Sequence, residues 1–208
     1  MKINYQRKME EEIAAFEAGV RPRLLLQCCC APCSSAVLEV LVPHFDVTVY
    51  FYNPNIHPKA EYEKRLAQLP KLLAGAEYGD AVKVLEAPYV PEDFFTAAKG
   101  LEEEPEGGAR CTECFRLRLR ETAKQAKALG FEYFTTTLTV SPHKNAAVLN
   151  EIGLSLGEEY GVKFLPSDFK KKEGYKESIR LSKAYDLYRQ DYCGCVYSMR
   201  ESDSICGK

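Results

Sequence analysis

Short apolar runs alternate with amphipathic stretches along most of this chain, the pattern of an α/β protein built on a parallel sheet. Arg23–Gln27, centred on Leu24-Leu25-Leu26, reads as a strand buried on both faces. Val47–Tyr52, rich in β-branched and aromatic residues, reads as the second, followed by Val82–Leu85, the Thr-rich Tyr133–Val140 and Val162–Leu165. Helical spacing of Met9, Ile13 and Phe16 predicts an N-terminal helix over Tyr5–Ala18, closed by Gly19. Further helices are expected at Ser35–Leu41, at Lys59–Leu73 with Pro70 kinking or breaking it, at Thr112–Leu129 and at Ala146–Tyr160 before Gly161. In the helix from Thr112, Phe115, Leu119, Ala126 and Leu129 should face the sheet. A last helical stretch through Ile179, Leu181, Tyr185 and Tyr188 leads into Cys193-Gly194-Cys195. The expectation is α/β, an open parallel sheet of about five strands with helices on both faces and a C-terminal helical cysteine-bearing segment.

With 208 residues, 46% of them hydrophobic and 28% charged, the chain is expected to form a single domain, 1–208. Gly100–Ala109, acidic and rich in Gly and Pro, reads as a mobile loop and a possible flap over the cysteines that follow it; the plainer reading is a solvated linker. The tail 199–208 is polar and expected to be flexible. No apolar run has the length of a signal-peptide core or a membrane span, so a cytoplasmic protein with no membrane partner is expected. A net charge of -2 gives no whole-protein attraction to nucleic acid, and any such binding must rest on a local patch.

A cytoplasmic setting changes how the nine cysteines read, because a reducing compartment disfavours structural disulfides. Four of them, in Cys28-Cys29-Cys30-Ala31-Pro32-Cys33, fall where the first strand should turn into a helix. That carboxyl edge is where open α/β sheets bind ligands, and helix N-termini favour thiolates. Cys111 with Cys114, and Cys193 with Cys195, are two further pairs, each spaced to turn both sulfurs to one metal. A structural zinc on four of these is the bland reading, and it leaves the first cluster unexplained. Cys29, Cys30, Cys33, Cys111, Cys114, Cys193 and Cys195 exceed what one zinc needs and suit an iron-sulfur cluster, with thiols left for a second metal or redox work. Neighbours in an extended segment point to opposite sides, so Cys29 and Cys30 can serve different centres. A thioredoxin-type relay fits less well, since no C-x-x-C here stands alone.

Other candidate residues gather at the same edge. His143 and Lys144 follow the fourth strand, although a lone His is more often a structural hydrogen-bonding group. Arg116, Arg120, Lys124 and Lys127 form a basic stripe on the helix after Cys111, and Lys170, Lys171 and Lys172 open the most cationic segment. Such stripes are commonly just solvated faces, but two of them near a metal site point to phosphate contact.

Six motifs in order, Cys29-Cys30-Ala31-Pro32-Cys33, Tyr52–Pro58, Arg110–Cys114, Thr137–Pro142, Asp168–Lys171 and Tyr188–Cys195, resemble the epoxyqueuosine reductases of the QueH type, over about Asn4 to Ser198. The resemblance implies an adenine-nucleotide α-hydrolase-like (HUP, Rossmann-like) fold, a 4Fe-4S cluster with a second, mononuclear iron, and the last step of queuosine synthesis on tRNA. It also implies Cys29, Cys30, Cys111, Cys114, Cys193 and Cys195 as ligands, without dividing them between the centres, and gives no role to Cys28 or Cys206. Removing an epoxide oxygen as water takes two electrons and two protons, so the cluster would carry electrons, the second iron would act as Lewis acid, and a side chain would supply a proton. His143, Asp168, Tyr175 and Tyr192 are the candidate acids, with the C-terminal motif, Asp168 or Tyr192, favoured. Arg116, Arg120, Lys124, Lys170 and Lys171 would hold the tRNA backbone, while Tyr52 or Tyr175 would stack on the wobble base. No G-x-G-x-x-G is present, so an external electron donor protein, a ferredoxin or flavodoxin, is expected. Two rivals remain. An ATP-using iron-sulfur tRNA thiolase would need a glycine phosphate loop after the first strand, where this chain has Cys-Cys-Ala-Pro-Cys. A zinc-stabilised RNA-binding module would need only four of the cysteines.

Overall fold

A computed structural model describes residues 3–199; Cys206 and the rest of the tail from residue 200 lie outside the described residues. Five strands, β1 (Arg23–Gln27), β2 (Asp46–Phe51), β3 (Lys83–Glu86), β4 (Tyr133–Thr136) and β5 (Lys163–Phe164), form one parallel sheet in the order β3-β2-β1-β4-β5. This order places the switch point, where the chain's progression across the sheet reverses, between β1 and β4, at the crevice where such sheets bind ligands. Leu24 and Leu26 face one core with Val47, Val49 and Phe51, while Leu25 faces the other with Tyr50 and Phe134.

The first core is closed by α1 (Tyr5–Ala14), α2 (Ala31–Leu41), α3 (Lys59–Leu66) and α4 (Gln68–Gly75). On the other face, Phe115 and Leu119 of α6 (Ala109–Ala128) pack with Leu149, Ile152 and Leu156 of α7 (Ala146–Tyr160). Close packing of α7 on β5 needs Gly153, where a Cβ would lie 2.4 Å from the Phe164 ring. α8 (Gly174–Ala184) packs against α2 and carries the chain towards the last cysteines.

Several element boundaries differ from the sequence expectation, each for a local reason. α2 starts four residues early because Pro32 occupies its second position, where no N–H is required. The long helix from Lys59 is two helices broken at Ala67, with Pro70 in the first turn of the second. β4 stops at Thr136, whose hydroxyl accepts a hydrogen bond from the Leu138 N–H and starts a 3-10 turn over Thr137–Val140. The expected sheet-facing Leu129 is 45% exposed, since it lies just past the end of α6. The Tyr185 and Tyr188 region is not helical, as α8 ends at Ala184. One unexpected helix, α5 (Pro91–Ala98), carries proline at its start and Glu92 and Asp93 in its first turn, both good helix-start signals.

The sheet's active edge is held by a buried polar knot. Gln27 is fully buried; its Nε2 donates to Cys28 O, Tyr52 O and Asn53 Oδ1, each at 3.3 Å. Its Oε1 accepts from Thr136 Oγ1 at 2.8 Å, and Asn53 Nδ2 donates to Cys28 O at 2.8 Å. One amide side chain thus joins the carboxyl ends of β1, β2 and β4. Gln27→Leu strands these buried groups and should lower unfolding stability by about 1–3 kcal/mol; an unchanged midpoint in denaturant titration would show that the knot is not structural.

Candidate active site

The turn after β1 sends three adjacent cysteines in three directions. Cys28 enters the first core, fully buried, with Sγ 2.8 Å from Ser34 Oγ. Burial pushes its thiol well above the usual range, and its sulfur is not among the three that cluster. Cys29 packs against the opposite core, its N–H donating to Thr137 Oγ1 of the β4 turn at 3.3 Å. Cys30 is the N-cap of α2, and the next turn of that helix brings Cys33 back. The sulfurs of Cys29, Cys30 and Cys33 lie within 4.8 Å of one another, with Cys29 Sγ 3.6 Å from Cys30 Sγ. Hydrogen bonds from Cys30 and Cys33 pull the Cys29 thiol well below its usual range. The converse interaction raises Cys33 and pushes Cys30 up to about 12. A soft metal would displace the protons of such a closely spaced sulfur donor set.

A second group of thiols stands beside the first. Cys111 and Cys114 occupy the first turns of α6, and the Gly107 N–H donates to Cys111 Sγ at 3.2 Å. Cys114 shares a small apolar cluster with Cys195, Phe94 and Ala98. Burial first, and then the neighbouring thiols Cys193 and Cys195, raise Cys111 and push Cys114 up to about 12. The Cys193-Gly194-Cys195 turn is fixed from the Tyr52–Pro58 loop and from α3. His57 N–H donates to Gly194 O at 2.8 Å, and Arg65, ion-paired with Glu61 at 2.7 Å, donates to Cys193 O at 3.0 Å and Tyr192 O at 3.3 Å. Gly194 has φ +114°, and a Cβ there would meet Arg65 Nη1 at 2.9 Å, so this spacer must be glycine.

Cys29, Cys33 and Cys193 open on one cavity of about 650 Å³, lined also by Arg118, Lys144, His143, Tyr175, Gln190 and Tyr192. Gln190 Nε2 donates to Cys30 Sγ at 3.1 Å. Of the expected acids, His143 is exposed at the mouth, and Tyr192 lines the wall with its hydroxyl donating to His57 O at 3.0 Å. Asp168 is turned aside, its Oδ1 3.2 Å from Lys170 Nζ, and does not line the cavity. Tyr52 is buried, with its hydroxyl on Asp93 at 2.9 Å, whereas Tyr175 lines the cavity. The basic residues expected to contact RNA, Arg116, Arg120, Lys124, Lys170 and Lys171, do not line this cavity. Arg116 lies 3.4 Å from Glu113 and Lys124 3.5 Å from Glu121, while Arg120 and Lys171 are exposed. The 100–109 loop folds around Arg110, which donates to the carbonyls of Leu101, Glu102 and Glu104, and its Glu106 reaches the cavity.

Arg118 and Lys144 are the principal charges beside the thiols. Burial works against each cation, but Cys114, Cys193 and Cys29 raise Arg118, and Cys193, Cys29 and Cys33 raise Lys144. The sequence signal for Arg118 is its place four residues beyond Cys114 on the same helix face, apart from the basic stripe of Arg116, Arg120 and Lys124.

The model of the family described as "Epoxyqueuosine reductase QueH" matches residues 24–201. Proteins named epoxyqueuosine reductase QueH are 48% identical over 202 residues in Streptococcus pyogenes serotype M1, covering 96% of this chain and 79% of that one. The Staphylococcus epidermidis relative is 47% identical over 202 residues (95% and 85%), and that of Thermotoga maritima 39% identical over 185 residues (86% and 91%). The chain belongs to the QueH family of oxidoreductases. Its α/β fold and cysteine-lined edge agree with that membership, and no helix among the described residues is long and apolar enough to cross a membrane.

The geometry sets Cys28, in the core, apart from the clustered Cys29, Cys30 and Cys33 in this QueH family member. Anaerobic titration with cobalt(II), read by thiolate charge-transfer absorption, should give full binding in Cys28→Ala and a marked loss in Cys30→Ala. Equal loss in both would contradict the placement of Cys28 in the core.

Proposed function

We propose that the chain reduces epoxyqueuosine at the wobble position of tRNA to queuosine. The observation that carries this reading is the clustering of Cys29, Cys30 and Cys33 within 4.8 Å and the opening of Cys29, Cys33 and the distant Cys193 on one cavity, with Cys114 packed against Cys195 beside them, in a chain of the QueH family. The donor set is rich in sulfur, with three thiols already within 4.8 Å and no carboxylate among them, which suits iron-sulfur ligation. Cys29, Cys30, Cys111, Cys114, Cys193 and Cys195, with Cys33 beside them, would hold a 4Fe-4S cluster, which would supply electrons one at a time, and a second mononuclear iron, which would act as a Lewis acid. The reaction takes in two electrons and two protons, releases the epoxide oxygen as water and leaves a double bond between the two carbons.

The chain's own residues bind the nucleotide and provide a proton. A cavity of about 650 Å³ is of nucleoside size, and Tyr175 offers it an aromatic face, with the Arg189 guanidinium 5.4 Å from the ring centroid. His143 is the proton donor in this reading, because its imidazole lies at the cavity mouth with no hydrogen bond among the described residues. Tyr192 spends its hydroxyl proton on His57 O, and the Asp168 carboxylate is held by Lys170. Arg120 and Lys171, exposed and without ion pairs among the described residues, are the free cations for the tRNA backbone, with Arg116, Lys124 and Lys170 available on exchange of their present partners. The electron donor is an external protein, a ferredoxin or flavodoxin, and the tRNA substrate places the reaction in the cytoplasm.

Anaerobic single turnover of the dithionite-reduced protein on tRNA carrying epoxyqueuosine, followed by nucleoside mass spectrometry, tests the reading. Loss of one oxygen atom is expected, and recovery of unchanged nucleoside from iron-loaded protein would overturn it. In the same assay His143→Gln should slow turnover by about 100-fold or more at unchanged iron content, and Tyr192→Phe far less; the reverse order would make Tyr192 the acid. For tRNA binding, Arg120→Ala and Lys171→Ala should each weaken affinity and flatten the dependence on log salt by about one phosphate contact. A wild-type affinity independent of salt would exclude a backbone footprint.

A further inference from the structure

We propose that Arg118 and Lys144 form a paired counter-charge that sets how readily the thiolate-held centre accepts an electron, a reading that rests on the proposed iron-sulfur site. Arg118 is 2% exposed; its Nε donates to Cys114 O at 3.3 Å, while Nη2 has no partner among the described residues. Lys144 follows the turn after β4 and lines the same cavity. Neither cation has an ion pair among the described residues, although Glu106 and Asp191 also line the cavity. The thiols that share the cavity with both cations are Cys29, Cys33 and Cys193, and Arg118 also touches the Cys114 carbonyl.

A buried guanidinium without a carboxylate is costly, and two cations that repel one another across a site are costlier still. Both are tolerable beside a net negative group. Seven thiols bound to metal make such a group, and each electron taken from an external one-electron donor deepens its charge by one. Fixed positive charges therefore stabilise the reduced form more than the oxidised one and raise the potential. An RNA phosphate is the other anion these cavity-lining cations could serve, and tRNA affinity separates the two readings.

The test is an anaerobic redox titration of the reconstituted protein, followed optically and by electron paramagnetic resonance, with tRNA affinity measured in parallel. Arg118→Met and Lys144→Gln should each shift the one-electron reduction equilibrium at least tenfold towards the oxidised form, about 59 mV downward. Tenfold weaker tRNA binding with unshifted potentials would overturn the proposal in favour of phosphate recognition. Unshifted potentials and unchanged tRNA affinity would overturn it outright and leave the proposed activity standing. A wild-type protein that takes up no cluster would overturn both. Where Arg118→Met fails to fold, Lys144→Gln, at a half-buried position outside the core, decides the outcome alone.

Discussion

Everything at the active edge hangs from the buried side chain of Gln27. Parallel strands end with backbone groups that no neighbouring strand satisfies, and burial makes each of them costly unless a partner is found. Gln27 supplies partners to the ends of β2 and β4 and to the Cys28 carbonyl at once. With that carbonyl held, also by Asn53, the chain leaves β1 in one fixed orientation. Cys28 is driven into the aliphatic core, Cys29 to the opposite face, and Cys30 to the cap of α2. The same knot sets the distance between the β1 and β4 turns, which lets Thr137 meet Cys29.

A second set of bonds brings the distant C-terminal thiols to this edge. The loop from Asn53 to His57 looks in sequence like a polar turn, but its work is structural: Asn53 joins the knot, Ile56 O accepts from Tyr89, and His57 docks Gly194. Arg65 closes the arrangement by ion-pairing within α3 while binding two carbonyls of the last turn. The Asp168–Lys171 motif is held in a similar way, with Ser167 Oγ 3.0 Å from Thr139 Oγ1 and the Lys170 N–H on Thr139 O at 3.2 Å. Motifs far apart in the chain thus form one frame around the thiols.

Much of this frame was legible in the sequence. β1 and α7 fall where periodicity puts them, since an unbroken leucine run and a glycine stop with φ +66° leave little choice. The cysteine pairs are likewise legible, because their spacing is a local property. Lost to sequence reading were features decided by side-chain hydrogen bonds and tertiary partners. Thr136 ends β4 early by bonding its own backbone. The preference for Asp168 or Tyr192 as the acid rests on sequence proximity to the cysteines, which does not give the Asp168 contact with Lys170 or the presence of Tyr192 and His143 together on the cavity. The basic stripe of α6 was visible because it is exposed, and Arg118 was overlooked because a buried cation looks like any other arginine until its surroundings are known.

The central claim is that these thiols hold an iron-sulfur centre that drives a two-electron reduction. Protein purified without oxygen should be assayed for iron, acid-labile sulfide and zinc per chain, with absorption recorded before and after dithionite. About four sulfides with four to five irons, and a visible band that bleaches on reduction, is the result the account predicts. One zinc with no sulfide, in protein never exposed to oxygen, would contradict it and reduce the cysteine edge to a structural metal site.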